Sequence, residues 1–175
     1  MLLAFAFLLA AAGAPTQVDA AGQSRLGKRL CVNPDLQAKT CSSLLSYAPR
    51  ADGSLVETGE VLVAPAQGIT LEMTSVVRNE GGALCGVVQL ADLRRGIVRV
   101  NGARLPPERN ASALASLVQR LAPMAGRKAC ETLRFQNGQL MKFGRVDQVN
   151  MTLPGKPVRW VDAAAGFRVA ASARR

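Results

Sequence analysis

The chain has 175 residues, with 22 Lys plus Arg against 12 Asp plus Glu, 4 Cys, no His, 49% apolar residues and 4% aromatics. Without His, no Ser-His-Asp triad, Cys-His pair, histidine metal centre or imidazole pH switch can be built. The apolar fraction and positive mean hydropathy exclude a wholly disordered chain, and the length fits one domain that buries about two-thirds of its unfolded surface.

Residues 2–13 read LLAFAFLLAAAG, an uncharged run of signal-peptide length that is too short to span a bilayer. Val18 and Ala20 then occupy the small-residue positions of a cleavage site, so residues 1–20 are expected to be a signal peptide cut between Ala20 and Ala21. No Lys or Arg precedes the apolar run, and a start codon a few residues upstream would supply the missing basic region. Cys31 follows Lys28, Arg29 and Leu30 rather than a small-residue box, so a lipid anchor is not expected. Later segments are too short in apolar length to span a membrane. The expected plan is a flexible basic lead-in over residues 21–30, one disulfide-stabilised domain over 31–171, a basic tail over 172–175, and a secreted or periplasmic location.

Export decides how the cysteines are read. An even number without a CxxC pair points to two disulfides and away from a four-thiolate zinc site. The preferred pairs are Cys31 with Cys41 and Cys85 with Cys130. Asn33-Pro34-Asp35 is a turn signal that bends the chain back between the first two cysteines.

In chain order, residues 40–47 place Cys41, Leu44 and Leu45 at helical spacing and predict a short N-terminal helix ending before Pro49. Residues 55–64 predict a strand with a bulge at Gly59. Residues 69–78 alternate most clearly, with Ile69, Leu71, Met73 and Val77 on one face. Residues 79–82 form a hairpin loop, and the chain returns as a strand over 83–90. Asn101-Gly102 and Asn137-Gly138 predict two further tight hairpins. Between them, Leu114, Leu117, Val118 and Leu121 form the apolar stripe of a helix that Asn110 caps and Pro123 interrupts. Short strands follow to residue 170, with Trp160 expected in a late strand. The pattern predicts an α+β domain: a mainly antiparallel sheet of about five to seven strands, covered by one main helix and the short N-terminal one.

The search for chemistry finds mostly absences. There is no phosphate-binding loop, no dinucleotide fingerprint, no HExxH and no calcium loop. Ser42 and Ser43 lie close to Lys39 without the SxxK order of a Ser-Lys dyad. No catalytic residue, cofactor or metal ligand is assigned, although carboxylates distant in sequence can still meet in space. Asn110 and Asn150 head glycosylation acceptor triplets. Arg94, Arg95, Arg99 and Arg104 are candidate anion contacts, because Arg99 and Arg104 would face each other across the Asn101-Gly102 turn. Few rings are available for base stacking, which argues against nucleic acid as a partner.

The expected function is an exported, non-enzymatic binding or structural module of the cell envelope, its ligand unnamed by the sequence. One alternative is a small secreted hydrolase or enzyme inhibitor whose site is built from dispersed carboxylates or a loop. The other binds an envelope polyanion through the Arg-rich face. A protein partner is equally open. A concave pocket with two close carboxyl groups would point to the hydrolase, and a flat Arg-rich face to surface binding.

Overall fold

The computed structural model describes residues 19–147 and 151–171. Most of the expected signal peptide, the tail 172–175 and Asn150 lie outside the described residues. A short helix, α1 (Ala20–Arg25), leads into β1 (Lys28–Val32), β2 (Thr40–Cys41), β3 (Ser43–Pro49), β4 (Leu55–Ala64), β5 (Ile69–Glu80) and β6 (Ala83–Val87). Next come α2 (Leu90–Arg94), a small hairpin of β7 (Ile97–Val100) and β8 (Ala103–Arg104), and the main helix α3 (Pro107–Leu121). The chain ends with β9 (Lys128–Gln136), β10 (Gln139–Val146), β11 (Met151–Asp162) and β12 (Arg168–Val169).

Eight strands close on themselves in the order β4, β3, β1, β11, β10, β9, β6, β5, and β4 pairs with β5 to complete the ring. Every pairing in the ring is antiparallel. The strands β7 and β8 extend the sheet from β5, outside the ring. This closed barrel replaces the expected open sheet of about five to seven strands under a covering helix. Alternation reports one dry and one wet face, and both architectures satisfy it: an open sheet dries one face under a helix, whereas a barrel dries it by closure.

Side chains of the inward parity fill the barrel, including Leu30, Val32, Leu45, Tyr47, Leu55 and Val158. Complete burial of a side chain such as Leu30, 0% exposed, contributes roughly 1.5–3 kcal/mol. The helix α3 covers only part of the wall. Its Leu114 joins Leu71 of β5, Leu93 of α2 and Val98 of β7 in a separate cluster. Helix α3 begins with Pro107, a residue suited to the first turn because its missing N–H needs no partner there. Asn110 therefore lies inside the helix rather than capping it. Its side chain accepts from the Val98 amide at 2.7 Å and donates to the Gly96 carbonyl at 3.2 Å, which fastens α3 to β7. Pro123 ends the α-helix in a single 3-10 turn, Ala122–Met124.

Two expectations near the N-terminus change. Residues 40–47 are strand, not helix. Leu45 and Tyr47 enter the barrel, while Cys41 and Leu44 pack outside it with Val161, so apolar residues on both faces of a strand imitate helical spacing. Residues 21–30, expected as a flexible lead-in, carry most of α1 and the start of β1. Asp19 caps α1 by accepting from the Gly22 amide at 2.8 Å, and Ala20, beside the expected cleavage point, is buried in the barrel core. Serine 24 fixes the helix to the wall by accepting from the Tyr47 amide at 3.0 Å.

Both disulfides are present, Cys31–Cys41 and Cys85–Cys130. The first closes because Asp35 and Thr40 exchange backbone hydrogen bonds at 2.8 and 3.1 Å, turning the chain back before β2. The second joins directly opposed residues of β6 and β9 and closes a separation of 45 residues, worth about 4 kcal/mol in the chain-entropy account. Both Asn-Gly hairpins form, and all four residues have positive φ, as tight two-residue turns require.

Candidate functional site

Strand β4 is anchored where it begins. Asp52 accepts from the Ser54 hydroxyl at 2.5 Å, the Ser54 amide at 3.1 Å and Arg78 at 2.8 Å. Those bonds, the Ser54 hydroxyl first, hold its carboxyl down to about 2. From this anchor the alternation of β4 sends Leu55, Glu57 and Gly59 inward. Glu57 lies opposite Tyr47 of β3 on one side and Ser75 of β5 on the other.

A pocket of about 170 Å³ runs from this part of the barrel to the loop after β6. Its polar groups come from Glu57, Ser75 and Glu131 on the barrel strands and from Gln89 and Asp92 after β6, and Met73, Val77, Leu84, Leu93 and Leu121 line its apolar part. Glu57 and Glu131 come from strands far apart in sequence and share the pocket wall. Lys142 of β10 donates to Glu131 at 2.7 Å and is 14% exposed. Burial first, and then the charge of Glu131, push the Glu57 carboxyl up to about 7, against the opposing pull of Lys142 and Tyr47. A carboxyl in this setting remains largely protonated into the neutral range. Tyr47, 3% exposed, is pushed well above its ordinary value by burial and then by Glu57 and Glu131. Its hydroxyl sits beside Glu57, the group it interacts with most directly, at a geometry short of a well-formed hydrogen bond. Trp160 meets Tyr47 edge to face at 6.2 Å, and its indole N–H is likewise buried without a partner. An orphaned buried donor normally costs about 1–3 kcal/mol, so the Trp160 N–H marks hydrogen-bonding capacity that the barrel interior leaves unused.

The four arginines singled out from the sequence fall elsewhere. Arg99 and Arg104 are indeed opposite each other across the β7–β8 turn. Arg99, however, is only 18% exposed; it is ion-paired and hydrogen-bonded to Glu72 and reaches Glu60 at 3.9 Å. Arg95 pairs with Asp92 at 2.5 Å. Arg94 and Arg104 are exposed. Two of the four thus already hold carboxylates. Among the described residues, no group of three or more metal-ligating side chains forms, and no helix is long and apolar enough to cross a membrane.

Glu57, Glu131, Lys142 and Tyr47 carried no motif. Their signal is parity: Glu57 shares its face of the strand with Leu55, Glu131 shares one with Leu133, and Lys142 shares one with Leu140. A charge on the dry parity of a strand is costly unless it is paired or put to use. Comparison of the chain with protein-family models, curated proteins and solved structures finds no match.

Proposed function

We propose that this chain is an exported, disulfide-braced binding protein that holds a small ligand inside its barrel. The pocket carries this reading: apolar over most of its wall, with a few polar groups among the apolar ones, and joined to a barrel whose hydrogen-bonding capacity is not used up. Small-molecule sites combine the same features, an apolar concavity with a few convergent polar groups. Two disulfides fit an oxidising compartment, and the apolar leader fits delivery to it. Polyanion binding through the Arg-rich face has less support, because Arg95 and Arg99 are committed to carboxylates.

The chain has one tryptophan, and Trp160 packs against the barrel core, so its emission reports events in the interior. Titration with a neutral single-ring compound such as benzyl alcohol is expected to change Trp160 emission saturably and to raise Tm. Ala129→Leu, which extends a side chain into the pocket, is expected to abolish that response while leaving the fold intact by circular dichroism. A wild-type protein that shows no saturable response to any neutral probe of this size rejects the reading.

One observation favours a second reading, a small hydrolase. Glu57 keeps its proton near neutrality while Glu131 is tied to the Lys142 ammonium, a division between two carboxyl groups that acid–base catalysis uses. Turnover of nitrophenyl esters or glycosides by the wild type, absent in Glu57→Gln, would establish that activity.

A further inference from the structure

We propose that the pocket selects a primary amine on a short apolar body, with the ammonium group seated on the Glu57 carboxylate beside the Tyr47 hydroxyl. This rests on the barrel being a small-ligand site, and deepens it by naming the chemistry of the ligand.

Glu57 of β4 is faced by Tyr47 from β3, Glu131 from β9 and Lys142 from β10. Ser75, its neighbour on β5, is neutral. The single cation among these groups is hydrogen-bonded to Glu131 at 2.7 Å. Asp92, which lines the pocket from α2, has its own partner in Arg95 at 2.5 Å. Glu57 therefore has no cation of its own, and ionising it leaves an uncompensated charge in a largely apolar pocket. A ligand ammonium supplies the missing counter-charge. Its N–H bonds match the acceptor oxygens of Glu57 and Glu131, which line the pocket, with the Tyr47 hydroxyl beside Glu57. An anionic ligand meets two carboxyl groups and one already committed lysine, and is disfavoured.

Size sets the rest of the molecule. A pocket of about 170 Å³ is close to the engineered apolar cavity of about 150 Å³ that accepts benzene. One ring or a short alkyl chain fills the space between Met73, Val77, Leu84 and Leu121, which makes arylalkylamines and short alkylamines the matching class.

Binding must also move a proton. Burial keeps Glu57 protonated up to about pH 7, so below that value amine binding displaces the carboxyl proton to solvent. Amine affinity then rises with pH through the neutral range, by up to about tenfold per unit below the Glu57 value, while the affinity of a neutral analogue stays level.

The test compares benzylamine, benzyl alcohol and benzoate on the full exported protein, by Trp160 emission and calorimetry at pH 6 and pH 8. Benzylamine is expected to bind about tenfold or more tightly than benzyl alcohol at pH 8, to lose most of that advantage at pH 6, and to lose it at both in Glu57→Gln. Calorimetry of the wild type at pH 6 in two buffers of different ionisation enthalpy, which needs no variant, is expected to show close to one proton released per amine bound and none for the alcohol. Equal affinity for amine and alcohol at pH 8, an advantage that survives Glu57→Gln, or amine binding without proton release overturns the inference. In each of those cases alcohol binding leaves the binding-barrel reading standing. If none of the three compounds binds, both fall together.

Discussion

Glu57 and Glu60 stand three residues apart on β4, and the alternation of the strand sends them to opposite faces of the barrel wall. Each meets a second carboxylate and a single cation. Outside, Glu60 lies directly across from Glu72, and Arg99 spans the pair from β7. Thr70 adds a hydrogen bond to Glu60 at 2.6 Å. A guanidinium has five donors in a rigid fork, so one Arg serves two carboxylates while water reaches both. Inside, Lys142 commits its ammonium to Glu131, and Glu57 is left with a neutral phenol beside a largely apolar pocket. The same arithmetic of charges produces a closed structural cluster on the outer face and an unfinished one on the inner face. The difference lies in how many donors the cation brings.

The sharpest way to probe this contrast is pH. Glu57 has a folded-state value raised from 4.5 to about 7, so the folded protein holds this proton more tightly than the unfolded chain. The associated stability is fully present below about pH 4.5 and is lost as pH rises through about 7, amounting to about 3 kcal/mol. The difference in unfolding free energy between wild type and Glu57→Gln, measured by urea titration at pH 4.5 and pH 8, is expected to change by that amount. A pH-independent difference would refute the unpaired interior carboxyl.

A smaller effect follows from removing the interior cation. Lys142→Met strands Glu131 and is expected to cost about 2 kcal/mol, less than for a fully buried pair because Glu131 is 34% exposed. The same urea titration at neutral pH measures it. A smaller effect still belongs outside, where Arg99→Met leaves Glu60 with its Thr70 hydrogen bond and Glu72 31% exposed, and is expected to cost about 1 kcal/mol, reduced further by added salt. If Arg99→Met proves more damaging than Lys142→Met, the contrast between the two faces is drawn the wrong way round.

Much of the local structure could be read along the chain. The Asn101-Gly102 and Asn137-Gly138 turns were legible because tight hairpins need positive φ at both central positions. Helix α3 was legible from its apolar stripe, and the strand over residues 69–78 from strict alternation. Residues 40–47 were misread because β3 is covered on both faces, by the barrel core and by the Cys31–Cys41 cluster, which erases the period-two signal. The Arg-rich stretch was legible as charge, but its partners Glu60 and Glu72 lie on strands that reach it only through the sheet. The interior site was the least legible part, since Glu57 and Glu131 belong to no shared motif.

What this sequence determined by itself was therefore local: which turns close, which side chains of a strand share a face, and which cysteines a short reversal can bring together. Those outcomes depend on backbone sterics and on neighbours a few residues away. Only the tertiary structure decided that β4 pairs with β5 and β1 with β11 to close a ring, and that Glu57 is left inside it with one lysine too few. Closure and charge pairing depend on the register between strands far apart in the chain, and no local period records that register.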